Sequence, residues 1–268
     1  MRSLRIVPVI LAGLLGSAAA LAQGASTPEA IVRQSQQAFF YAGKDLKARV
    51  HMRLIARDGK ERLRELVMLR KDIQEGGEQK YFIYFQQPAD VRDMTFMVWK
   101  YPGKDDDRWL YMPALKLVRR VAANDQRSSF AGSDFTYEDI SGRDLEEDTY
   151  ELAREESLNG KGCDVVKSTP KTEKGADYRY RLSWVERASR LPLKEEFYDR
   201  QGKLAKVFTA DEVQEVQAIP TVVRRSMANP QTGHRTEVVF AEVQYDLGLP
   251  DELFSERYLR NAPAEWVK

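Results

Sequence analysis

Few residues in this chain are of types that do chemistry, and those few are poorly spaced for it. There are two histidines, His51 and His234, and one cysteine, Cys163. A metal site needs His, Cys or carboxylate ligands at short fixed spacings, and neither histidine belongs to such a set. No G-x-S-x-G turn presents a serine nucleophile. Neither a P-loop nor a G-x-G-x-x-G phosphate cradle occurs. A catalytic group assembled only in space leaves no local mark, so His234 beside an acid stays open as a hydrolytic pair. Cys163 has no histidine near it in sequence and fits a buried, apolar-like strand position. Two acidic clusters stand out. Asp105-Asp106-Asp107, close to Pro102-Gly103, lacks the alternating oxygen ligands and closing Glu of a calcium loop, and fits a solvated turn. Ser133, Asp134, Glu138 and Asp139 fit helix capping and ion pairing with Arg119, Arg120 or Arg143. No cofactor is implied, and a non-enzymatic protein is expected.

What the chain does offer is apolar capacity. Phe96-Met97-Val98-Trp99 and Trp109-Leu110-Tyr111-Met112 flank a charged loop, and Phe135-Thr136-Tyr137 follows after an irregular stretch. On extended segments side chains alternate between faces, so Phe96 shares a face with Val98, Met97 with Trp99, and Trp109 with Tyr111. Large rings on adjacent strands either interlock as core or wall a cavity for something greasy. The candidates for cavity walls are Phe96, Trp99, Trp109, Tyr111, Phe130, Phe135 and Trp184. Burying one acyl chain of about 14 methylenes is worth on the order of 10 kcal/mol before entropy costs. Such a site binds a lipid without any catalytic group.

The elements that must position these rings are mostly strands. One helix is expected over 28–42: Ser26-Thr27-Pro28-Glu29 supplies a capping hydroxyl, a first-turn Pro and a Glu placed for a capping box. Ile31, Ser35, Ala38, Phe39 and Ala42 then follow at helical spacing, and Gly43 can end the helix. From Leu46 to Ala56 the period becomes two, with Lys47, Arg49, His51 and Arg53 on the wet face. Asp58-Gly59 is a hairpin signal, and residues 61–70 return from it. Residues 80–86, KYFIYFQ, are apolar on both faces and suit a central strand. The second half alternates again at 178–184, 191–198, 203–209, 221–227 and 235–245. About a dozen strands joined by turns favour one curved antiparallel sheet or barrel over a parallel α/β fold. The aperiodic stretch 122–133 is either a lid or a disordered excursion. The basic strand positions Arg49, Arg53, Arg57, Arg179 and Arg181 are expected on the outer, wet side of the curved sheet.

The first 22 residues have the pattern of a cleavable export leader. Arg2 and Arg5 precede an apolar run, and Ala20-Leu21-Ala22 is a small-x-small cleavage site. That apolar run is short for a membrane span. Lys and Arg number 42 against 41 Asp and Glu, and the leader holds two of the arginines and no acid. A near-neutral balance argues against a dedicated nucleic-acid binder. With one cysteine, no internal disulfide can form, whatever the compartment.

Four stretches carry a family resemblance: WKYPGKDDDRWLYMPALKLVRR from Trp99, SSFAGSDFTYED from Ser128, LPLKEEFYDRQGKL from Leu191 and YDLGLPDELF from Tyr245. Together they resemble the outer-membrane lipoprotein-sorting proteins with a LolA-like domain. The resemblance implies an unclosed antiparallel β-barrel, with an N-terminal helix and short helical lid segments over a hydrophobic cavity. It implies one such lipid-binding domain over 23–268, in the periplasm. The implied cargo is an acylated lipoprotein or another lipid. The implied partner is an inner-membrane RND-type transporter. The competing expectation is an accessory subunit of such an exporter, acting by protein contact alone.

Overall fold

The structure is a computed structural model and describes residues 26–122, 125–172 and 176–268. The expected leader, 1–22, lies outside the described residues. Helix α1 spans Pro28–Phe40, with the Thr27 hydroxyl accepting from the Ala30 amide at 3.2 Å. Thirteen strands follow: β1 Asp45–Ile55, β2 Glu61–Asp72, β3 Gln79–Gln87, β4 Thr95–Lys100, β5 Asp107–Met112, β6 Leu117–Arg120, β7 Asp148–Leu158, β8 Lys161–Pro170, β9 Tyr180–Glu186, β10 Pro192–Tyr198, β11 Leu204–Val216, β12 Ile219–Asn229 and β13 His234–Tyr245. Between β6 and β7 lies the short helix α2, Tyr137–Ser141. After β13 come a 3-10 turn, Asp251–Phe254, and the short helices α3, Glu256–Arg260, and α4, Ala264–Val267.

All thirteen strands form one antiparallel sheet, in the order β6-β5-β4-β3-β2-β1-β13-β12-β11-β10-β9-β8-β7. Strand β1 joins two wings, because it pairs with β2 on one side and β13 on the other. The sheet does not close into a barrel: β6 and β7 are its two edges. These edge strands are consecutive in sequence, so the chain between them, 121–147, must cross from one edge to the other over one face. It crosses the face lined by Val50, Met52, Leu66, Ile83, Phe85 and Phe96, and it sinks Phe130, Phe135, Tyr137 and Ile140 into that face. The Phe130 ring lies 5.7 Å from Phe85 and 5.5 Å from Phe96, and Tyr137 lies 5.0 Å from Phe96. A capping box between Thr136 and Asp139 starts α2. The buried Lys100 ammonium donates to the carbonyls of Ser141, at 2.6 Å, and Gly142, at 3.0 Å. Gly142 has φ +80°, and a Cβ there would stand 2.9 Å from the Phe40 ring, so only glycine lets α2 end against α1.

Helix α1 lies over the β7–β12 wing, with Ile31 and Val32 packed on Val166 and Val185. Its C-terminal end is tied to the other wing. The buried Arg70 guanidinium on β2 donates to the carbonyls of Phe40 and Ala42, both at 2.5 Å, and of Gly43 at 2.7 Å. Gln79 adds a bond to the Phe40 carbonyl at 2.8 Å and one to Asp72 at 2.7 Å. A cation on the unpaired carbonyls of a helix end satisfies them and offsets the helix dipole.

The C-terminal segment covers the opposite face of the β2–β5 wing. Leu249, Leu253, Phe254, Leu259 and Val267 pack on Val67, Leu69, Phe82, Tyr84, Met97 and Trp109. Side chains from the sheet fix its backbone: Trp99 Nε1 donates to the Phe254 carbonyl at 2.8 Å, and the Thr95 hydroxyl to the Leu259 carbonyl at 2.6 Å. Two covered faces explain why β3 is apolar on both sides.

Two findings depart from the sequence expectations. Arg49 and Arg53 do lie on the outer side, beside Glu242 and Glu237. Arg181 does not: it faces Glu195 and lines the concave side, because its position on β9 falls on the same face as Phe197 of β10. Asp106 is also not a solvated turn residue. It is buried and pairs with Arg108 at 2.7 Å.

Replacing Arg70 with Leu strips the Ala42 and Gly43 carbonyls of their guanidinium partner and leaves the Phe40 carbonyl to Gln79 alone; it is expected to cost about 3 kcal/mol, read by urea unfolding, with α1 becoming susceptible to limited proteolysis. A second expectation concerns pH. Burial pushes the Asp72 carboxyl up to about 6, against the opposing pull of Arg70. The folded chain therefore keeps a proton that an unfolded Asp, at about 4, has lost. This group adds stability at low pH, and the gain is lost as pH rises from about 4 through 6. The stability of the native chain relative to Asp72→Asn should rise by about 2 kcal/mol between pH 7 and pH 4.5.

Candidate functional site: a groove on the concave face

The concave face is not filled evenly. Between α1, α2 and strands β9–β12 it holds a groove of about 100 Å³. Its apolar walls are Val32 and Phe39 from α1, Phe135 from the crossing segment, and Phe197, Phe208 and Met227 from the sheet. Each sheet residue points inward because strand alternation and register put it there: Phe208 pairs with Met227 across β11 and β12, and Phe208 with Glu195 across β10 and β11. Phe39 meets Phe208 edge-on at 5.8 Å. A second, smaller void of about 20 Å³ lies under Phe130, between β1, β2, β3 and β13. Phe135 and Arg225 border both.

A groove of 100 Å³ holds about three waters, whereas drug-sized ligands occupy roughly 300 Å³ or more. An acyl chain therefore needs the cover to move. The cover consists of α1 and the crossing segment, both joined to the sheet by a modest set of ties. His234 Nδ1 meets Asp134 at 2.6 Å, and the Thr236 hydroxyl donates to the same carboxylate at 2.7 Å. His234 and Asp134 thus tether the crossing segment to β13.

The groove is amphipathic. Arg143 is surrounded by Glu138 at 3.0 Å, Glu147 at 2.6 Å and Asp148 at 3.0 Å. Arg181 pairs with Glu195 at 3.5 Å, and Lys206 with Asp139 at 2.6 Å. Burial works to raise the Asp139 carboxyl, but Lys206 and the hydrogen bonds from Thr136 hold it below its ordinary value. Burial raises Glu138, with Arg143 opposing. Burial also raises the Tyr178 hydroxyl. Arg225 differs from the other cations: burial pushes its guanidinium down to about 10, and no ion pair compensates it among the described residues.

The seven aromatic residues expected from sequence are split by the sheet. Phe96, Phe130 and Phe135 come together on the concave face, and of these Phe135 reaches the groove while Phe130 borders the smaller void. Trp99, Trp109 and Tyr111 lie on the opposite face, under the C-terminal segment, with Trp99 and Trp109 ring centroids 5.1 Å apart. Trp184 belongs to a third cluster with Cys163, Val165, Leu191 and Leu193. Sequence reasoning missed the charged lining, above all Arg181, Lys206 and Arg225, and the wall residues Phe197, Phe208 and Met227. Alternation in β10–β12 signalled two faces, but which face was concave depended on the neighbours. Among the described residues no group of three or more His, Cys, Asp or Glu side chains could hold a metal ion.

A solved structure of a DUF1329 family protein from Desulfovibrio piger superposes with a TM-score of 0.79 at 30% identity, over 87% of this chain and 100% of that one. The chain belongs to the DUF1329 family. A family profile described only as an uncharacterized protein matches residues 77–261. A second likeness is to a putative outer membrane lipoprotein-sorting protein domain from Vibrio parahaemolyticus, with a TM-score of 0.80 at 28% identity over 87% and 98% of the two chains. A LolA superfamily protein from Nitrosomonas europaea shares the fold, with a TM-score of 0.67 at 22% identity over 87% and 100%. No curated protein matches the chain. This DUF1329 chain therefore has a LolA-like fold, mainly β, with its sheet left open. No helix among the described residues is long and apolar enough to cross a membrane.

Proposed function

We propose that this DUF1329 chain is a periplasmic carrier that shelters the acyl chain of a lipid or lipoprotein on the concave side of its sheet, in transit to the outer membrane. The single observation that carries the reading is the groove itself: an apolar-walled gap on the concave face, roofed by a helix and a crossing segment rather than by strands. Its fold relationship to a lipoprotein-sorting domain supports the choice of cargo. The leader pattern at 1–22 supports the compartment, and an inner-membrane RND-type transporter is the proposed donor.

The proposed uptake follows from packing. Swinging α1 and the Phe135 segment off the sheet exposes Phe39, Phe197, Phe208 and Met227, and an incoming chain replaces the lost contacts. Exchange of one apolar surface for another costs little transfer free energy, because the hydrophobic term scales with the area removed from water. Roofing by movable pieces thus gives reversible loading, which a carrier needs. Trp99, Trp109 and Tyr111 take a different part in this scheme: they hold the C-terminal segment on the far face.

A fluorescent fatty acid titrated into the purified chain should bind saturably with one site. Phe208→Ala, which enlarges the groove and removes a wall, should weaken that binding about tenfold or more. Trp109→Ala should instead cost about 3–5 kcal/mol of stability while leaving the affinity of the folded chain unchanged. Absence of saturable binding, together with absence of any lipid in native mass spectra of protein from membrane-bearing cells, would discard the carrier reading.

A further inference from the structure

The surplus cation of the groove points to the chemistry of the cargo's polar end. Arg143, Arg181 and Lys206 each meet at least one carboxylate. Arg225 meets none. Its guanidinium lies over three rings instead, 4.3 Å from the Phe240 centroid, 5.3 Å from Phe39 and 5.7 Å from Phe135. Its Nε is buried with no hydrogen-bond partner. Asp139 acts on it through space, but that carboxylate is already bonded to Lys206 at 2.6 Å and to the Thr136 amide at 2.7 Å. Arg225 is nonetheless only partly buried, and it borders both hollows of the concave face. Its side chain thus stands beside both hollows.

A desolvated charge without a counter-ion is costly, and ring faces compensate only part of that cost. A planar guanidinium presents paired donors that match the two oxygens of a carboxylate or phosphate. An oxyanion entering the groove would neutralise the charge and satisfy those donors together. Phe39 and Phe135 belong to the movable roof, so the same opening that admits an acyl chain uncovers the guanidinium.

We propose that Arg225 is the headgroup-recognition residue of the groove, and that the cargo is an anionic amphiphile: one acyl tail ending in a carboxylate or a phosphate monoester. This inference rests on the carrier reading. The tail occupies the apolar walls, and the anion pairs with Arg225 beside the two hollows.

The test compares oleate, monoolein and an oleoyl lysophosphatidic acid by isothermal titration. The three share one tail and differ in headgroup charge. Native protein is expected to bind oleate and the lysophosphatidic acid about ten- to a hundredfold more tightly than monoolein. Which of the two anions binds more tightly identifies carboxylate or phosphate as the natural head. Arg225→Met should bring the anion-to-monoolein ratio near one, and Arg225→Lys should keep part of the preference. Removing an uncompensated buried charge is not expected to unfold the chain, and thermal melts check this. The comparison among the three lipids on native protein needs no variant. Equal affinity for oleate, the lysophosphatidic acid and monoolein, or a ratio untouched in Arg225→Met, overturns the headgroup assignment while leaving the carrier reading standing. No binding of any of the three overturns both. Competition of oleate by sub-millimolar inorganic phosphate would make the ligand a free oxyanion and overturn the amphiphile.

Discussion

One connection constrains the whole molecule. The two edge strands of the sheet, β6 and β7, are neighbours in sequence but have eleven strands between them in the sheet, so the chain must cross the concave face to reach β7. A crossing backbone carries polar groups that need partners and can be buried only if they find them. Here some partners come from the strands beneath and some from the segment itself: Lys100 bonds the carbonyls at the end of α2, Thr236 accepts from the Asp134 amide, and Thr136 and Asp139 cap each other's backbone. The crossing segment then brings Phe130, Phe135 and Tyr137 to the β1–β5 wing and fills it. Over the other wing it stops short, α1 takes over, and the seam between the two covers is the groove.

This arrangement divides the labour of the two faces. Over β2–β5 the outer face is closed by the C-terminal segment, whose backbone is pinned by Trp99, Thr95, Gln86 and Lys71. Those strands are covered on both sides and form the rigid half. The concave side of the other wing is roofed by a thirteen-residue helix, α1, whose two ends are held by opposite wings: Ile31 and Val32 on Val166 and Val185, Phe40 on Arg70. A helix spanning a seam in this way is the element whose displacement opens the groove with least damage to the ladder of strands.

The polar lining is the second property of the groove. Buried ion pairs are weak evidence for stability but strong constraints on arrangement, because an unmatched charge in a poorly hydrated site is costly. Three of the groove's cations obey that rule with carboxylates drawn from α2, β7, β10 and the residues just before β7. The aromatic shell around Arg225 is a different solution, and it leaves the buried Nε without a hydrogen-bond partner among the described residues.

The sequence by itself determined a great deal of the frame. Period-two alternation, aromatic runs and turn signals located most of the strands but not β6, β7 or β8, Thr27-Pro28 located the start of α1, and the all-apolar KYFIYFQ run marked a strand buried on both faces. The resemblance of four stretches to lipoprotein-sorting proteins indicated an open β-barrel. These are local signals, set by backbone geometry and by the spacing of apolar side chains. What alternation cannot give is the identity of each face. Trp109 and Phe96 are equally aromatic and lie on adjacent paired strands, yet one is held under the C-terminal segment and the other under Phe130, because their positions differ by one in register. Arg181 and Arg53 both alternate with apolar neighbours, yet one faces the groove and the other solvent. The groove's lining comes from α1, from α2 and the segment between β6 and β7, and from strands β9–β12, three stretches that lie far apart in sequence. Only the tertiary structure decided which side of the sheet curves inward, and therefore which side chains meet there.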